Sequence, residues 1–144
     1  ELTTMTLDER NLEINNVLES RFTQLNSAIE AQEQKLKEMM VPKDVFFIYD
    51  SYQDEDPQSG QPFGEHQSFI GMIKLRSAWR LCHADHYLSY HHPEPDVDWK
   101  PLVEASFEVR IEACKHIEKL RETIVQTKEN LAPEVEKVIA MLAQ

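Results

Sequence analysis

Glycine is scarce in this chain, with three residues in 144. A phosphate-cradling loop needs several glycines at fixed spacing, and neither that pattern nor a nucleophile elbow is present. Cysteine is scarcer still. Cys82 and Cys114 stand far apart without CxxC spacing, which excludes a disulfide framework and points to free thiols in a reducing cytoplasm. Basic residues are outnumbered, 15 Lys and Arg against 26 Asp and Glu, for a formal charge of −11. Such a surface repels phosphate backbones and anionic lipid, so no nucleic-acid partner is expected. Long apolar runs are missing too. Nothing approaches the roughly 18 residues of a membrane helix, and no short apolar segment follows a basic start, so no membrane partner is expected either. What remains is ordinary globular composition, 41% apolar, in a chain long enough to bury its own core. A single domain over residues 1–144 follows.

Both flanks carry helical periodicity. Thr6-Leu7-Asp8-Glu9 matches a capping box, in which the threonine hydroxyl accepts from the glutamate N–H, and starts a helix over 7–41. Leu18, Phe22, Leu25, Ile29, Leu36 and Met39 then recur at three-, four- and seven-residue steps, a seam for another helix. Pro42 ends it. The second flank, 106–143, opens with Ser106 as N-cap and carries Ile117, Leu120, Ile124, Leu131, Val135, Val138 and Leu142 on one stripe. Pro133 removes one N–H and predicts a kink or break near 130–133.

Between the flanks, 44–92 has strand patterning. Val45-Phe46-Phe47-Ile48-Tyr49 is β-branched and aromatic. Residues 50–66 are rich in Asp, Glu, Pro and Gly and read as a solvated loop. Phe69 to Leu75 and Trp79 to Ala84 form a hairpin around Arg76-Ser77-Ala78, with Trp79, Leu81 and His83 on one face. Tyr87 to Tyr90 adds a further strand, and prolines 93, 95 and 101 make 93–105 an irregular connection.

Five histidines fall between residues 66 and 92, so zinc or another divalent transition metal on His83, His86, His91 and His92 is the alternative to no cofactor at all. Their spacing carries no metal-ligand motif, since His83 and His86 sit on opposite faces of a strand, and surface or partly buried histidines are favoured. Asp54, Glu55 and Asp56 lack the ligand order of a calcium loop and read as solvation. Trp79, Trp99, Tyr87 and Tyr90 are the candidate ligand or partner surface, weighed against tryptophans that simply fill a small core. No catalytic residue is assigned.

Arg110 and His116 stand at a spacing that resembles the R-x(4-6)-H motif of HEPN ribonucleases. That resemblance implies an all-helical bundle acting on RNA phosphate, whereas the strands and acidic surface favour Arg110 paired with an acid and His116 beside the helical seam. Ile70 to Leu75, Trp79 to Cys82 and Arg110 to Ala113 together resemble small uncharacterised bacterial proteins with a hairpin before a terminal helix. This implies a bacterial origin and the same architecture, and carries no activity.

The expected fold is therefore α+β, two long antiparallel helices forming a coiled-coil-like hairpin with an inserted three- to four-stranded antiparallel meander. Apolar surface left over on the helices predicts a homodimer. The function that follows is a non-enzymatic interaction or assembly module for an unidentified protein partner, with a small metal-dependent hydrolase or metal-binding protein as the alternative.

Overall fold

The computed structural model describes residues 4–92 and 96–144. Helix α1 runs Leu7–Glu38, with the Thr6 hydroxyl accepting from Glu9 N–H as the capping box requires. It ends at Glu38 with Met39 as C-cap, and Met40 follows in left-handed backbone (φ 60°), two residues before Pro42. Strands β1 (Val45–Glu55), β2 (Pro62–Leu75), β3 (Ala78–Ser89) and β4 (Lys100–Pro101) form one antiparallel sheet in chain order. A 3-10 turn, Leu102–Glu104, leads to α2 (Phe107–Cys114) and α3 (Ile117–Leu142). The fold is α+β, as the patterning implies.

One face of the sheet is the core face. Val45 of β1, Ile70 and Met72 of β2 and Leu81 of β3 meet Ile29 and Leu36 of α1 and Ala113, Ile117, Leu120 and Ile124 of α2 and α3. On β3, Glu33 of α1 accepts from Leu81 N–H at 2.7 Å and from Arg80 Nε at 3.1 Å. Because β4 pairs only with Cys82 and His83, this carboxylate satisfies a strand donor that the short fourth strand leaves open.

Several expectations are corrected. The two long helical regions run parallel, not as an antiparallel hairpin. Phe22 stacks on Phe107 with centroids 4.2 Å apart, Asn26 accepts from Arg110, and Met39 carbonyl accepts from Lys128, so positions along both helices rise together. The reason is parity. Three full-length strands return the chain to the end where α1 began, and a helix crossing back from there must point the same way. The second helix is also divided, but at Lys115–His116 rather than near 130–133; α3 passes through Pro133 unbroken. At His116 the backbone leaves helical geometry (φ −111°, ψ 6°).

The loop expected over 50–66 is mostly strand, since β1 reaches Glu55 and β2 starts at Pro62. Tyr87 to Tyr90 is not a fourth strand; β3 itself extends to Ser89, and the fourth is Lys100–Pro101. The hairpin turn is tighter than expected, two residues with Arg76 and Ser77 both at positive φ (48° and 73°). That is the I′ pattern favoured by strand twist, reached here without glycine. Within the expected 93–105 connection, residues 93–95 lie outside the described residues; the remainder holds β4 and the 3-10 turn.

Both helices outrun the body. Leu7, Ile14 and Leu18 lie on the same side of α1 as Leu25, Ile29 and Leu36 by helical spacing, yet they are 77%, 48% and 40% exposed where Ile29 and Leu36 are 2% and 0%. At the other end of the molecule Val135, Val138 and Leu142 continue the buried stripe of Ile117, Leu120 and Ile124, and are 52%, 51% and 80% exposed.

Candidate functional site

Beyond the core, the helix-facing side of the sheet continues uncovered, and its register builds a polar site. Directly paired residues share a face. A register shift between Ile48 and Asp50 puts Asp50 opposite Ser68, and Ser68 is opposite Asp85. The next row is Tyr52, His66, Tyr87, and the one beyond is Asp54, Gly64, Ser89. The rows thus read acid, serine, acid, then tyrosine, histidine, tyrosine.

His66 Nε2 meets Asp54 Oδ2 at 2.8 Å. The Tyr52 ring lies nearly flat on the imidazole (centroids 4.5 Å, 17°), and Tyr87 meets it edge-on at 4.9 Å. Gly64 makes this possible, because a Cβ there would stand 1.9 Å from Tyr87 Oη. The Tyr87 hydroxyl is held above its ordinary range, by desolvation first and then by the Asp54 carboxylate it hydrogen-bonds. Ser68 Oγ donates to Asp85 Oδ1 at 3.3 Å. Tyr49, where the site meets the helices, is stacked on His116 at 4.9 Å. Its hydroxyl is pushed up by burial and then by Asp85, with Asp50 and Glu112 adding to the effect against a Ser68 hydrogen bond. A cleft of about 270 Å³ opens among Tyr52, His66, Ser68, Asp85 and Tyr87.

The four aromatic residues singled out from the sequence do not converge. Trp79 packs against the core. Trp99 lies on the opposite face, 5.3 Å from Phe46 and 5.7 Å from Phe69. Tyr90 is also away from the cleft, accepting from Gln53 and donating to Glu65. Only Tyr87 belongs to the site. The four histidines are likewise dispersed. His83 is buried under the helices with Nδ1 unpartnered, its basicity lowered by burial and by Lys100 against the pull of Asp85. His86 points to the far face beside Phe69, and His91 and His92 are exposed past the end of β3. Among the described residues no group of three or more His, Cys, Asp or Glu is placed to hold a metal.

Arg110 and His116 are not assembled either. Arg110 is buried, donates to Asn26 and sits 5.6 Å over the Phe107 ring, so an amide and an aromatic face take the place of the expected acid. His116 turns to β1, not to the helical seam. Both cysteines are free, and among the described residues no helix is long and apolar enough to cross a membrane.

Sequence reasoning missed Tyr52, Asp54 and His66 as a group. The available signal was alternation: Asp50, Tyr52, Asp54 and His66, Ser68 are each spaced by two. Turn-forming residues on either side of the tip outweighed it. Comparison with protein-family models, with curated proteins and with solved structures finds no match to this chain.

Proposed function

We propose that this protein is a non-enzymatic assembly module of the cytoplasm that associates with a second copy of itself through its helical arms and presents the far end of its sheet to a protein partner. The observation that carries the reading is the pair of apolar stripes, buried on the body and uncovered beyond it, on α1 through Leu7, Ile14 and Leu18 and on α3 through Val135, Val138 and Leu142. A lone exposed leucine is ordinary, but a stripe in continuous helical register over several turns is an interface pattern. The form of the arms supports a second copy as their partner. Each is an amphipathic helix of about three to four turns, and both present the same kind of edge, so a copy of the chain supplies a complementary surface. Free cysteines suit the reducing compartment.

The test is mass in solution. Light scattering across a concentration series is expected to move from the 16.8 kDa chain toward twice that mass. Leu18→Glu combined with Val138→Glu, both on exposed positions, should hold the protein monomeric with an unchanged circular dichroism spectrum. A wild-type chain that stays at the single-chain mass throughout the series would end this reading.

A further inference from the structure

We propose that the cross-strand cleft is a docking site for a lysine or arginine side chain carried by an extended basic segment of a partner protein. The surface is separate from the helical arms, and the inference does not depend on their association. Its chemistry follows from the register. Asp50 and Asp85 flank Ser68 on neighbouring strands, about 5 Å to either side, so a cation seated above the serine meets a carboxylate on each hand and a hydroxyl beneath. One row along, Tyr52 and Tyr87 offer ring surface to the stem and head of the same side chain; Tyr52 is 60% exposed and Tyr87 37%. A cation within about 6 Å of such a ring is attracted by its quadrupole.

No internal cation competes for the place. Residues 44–73 and 81–99 contain neither Lys nor Arg, and among the described residues no Lys or Arg pairs with Asp50 or Asp85. Asp54 is different, because His66 already meets it. The cleft of about 270 Å³ falls just below the usual range of small-molecule pockets, a size for one side chain rather than a cofactor. Without a three-ligand group in reach, an organic cation fits better than a metal ion. Asp54, Glu55 and Asp56 continue the negative charge along β1 toward the hairpin tip, which favours a segment with several basic residues over a single amine.

Titration calorimetry with a tetralysine peptide tests this, beside spermidine and calcium as separate probes. Asp85→Asn is expected to weaken the peptide about fivefold and Tyr52→Leu about threefold, each with unchanged circular dichroism. Glu134→Gln changes the net charge by the same amount on the remote α3 arm and should leave binding as it was. The proposal is overturned if Glu134→Gln weakens the peptide as much as Asp85→Asn, which would mean general attraction to an acidic protein. It is overturned equally if spermidine binds as tightly as the peptide, if calcium binds and the peptide does not, or if no probe binds.

Discussion

Cys82 couples the sheet to pH in a way that can be measured against a single substitution. It is fully buried on β3, with Gly71 paired on one side and Pro101 on the other. Burial, above all, pushes its thiol from 9.0 up to about 12, with Glu33, Asp44 and Glu104 adding and Arg80 opposing. The folded-state value is raised, so the stabilisation from keeping the proton is complete below pH 9 and is lost as pH climbs from 9 toward 12. At pH 10 the unfolded chain gains about 1.4 kcal/mol from ionising this one group, while the folded chain still holds its proton. Alanine at position 82 cannot ionise. The packing lost in Cys82→Ala is the same at every pH, so subtraction isolates the thiol. Urea unfolding of both proteins at pH 8 and pH 10, followed by tryptophan fluorescence, should show the wild type's advantage over Cys82→Ala shrinking by about 1.4 kcal/mol. A difference that stays constant across that interval would refute the argument, because the thiol would then ionise alike in both states.

Glu33→Ala strips the acceptor from Leu81 N–H and from Arg80 at once. Arg80 is partly wet and counts for little, so the loss comes mainly from the strand donor, about 2 kcal/mol by denaturant unfolding; a change within error would mean water replaces the carboxylate. Two glycines should behave oppositely. Gly71→Ala puts a Cβ 2.6 Å from Phe46 Cβ and 2.7 Å from Val45 carbonyl, so strands must part and thermal melting should report about 1–3 kcal/mol lost. Gly64→Ala meets only the Tyr87 ring tip, so melting should barely move while tetralysine binding falls; a large stability loss there would show the ring to be locked.

Much of the architecture was legible because it rests on periodicity. Thr6 and Ser106 act as the caps their side chains suggest, and the Ile29, Leu36, Leu120 and Ile124 positions of the two stripes are the buried ones. Helix direction was not legible, because a stripe repeats identically read from either end; only the number of full strands between the helices decides it, and that number depended on whether Tyr87 to Tyr90 closes β3 or forms a strand of its own. Residues 50–66 are the second difference. There the composition misled. Pro57, Gly60 and Pro62 mark a real turn, but its six residues, 56–61, were widened to the whole acidic stretch, and Tyr52, Asp54 and His66 went with it. Pro133 misled in the same manner, since a proline in an exposed helical segment meets water where a buried one would leave a carbonyl stranded.

The break at Lys115–His116 bears on where the core ends beside the cleft. A helix continuing straight from α2 into α3 would carry position 116 past β1 without the change of path that brings its imidazole flat against Tyr49. That contact closes the apolar core on the side facing the site, since Phe47 and Tyr49 pack inward and the next row on β1 begins with Asp50. The register shift after Ile48 falls at the same point. Without it the alternation along β1 would turn Asp50, Tyr52 and Asp54 to the far face, away from His66 and Tyr87. Absorbing the extra residue as a bulge therefore keeps the acids and tyrosines of this sequence on one surface. Deleting Asp50 would return β1 to unbroken pairing with Tyr49 opposite Ser68, while Tyr52 stays opposite His66 and Asp54 opposite Gly64. The imidazole proton resonances of His66 should therefore keep their positions and tetralysine binding should fall with the lost carboxylate; a shifted imidazole would refute the register argument.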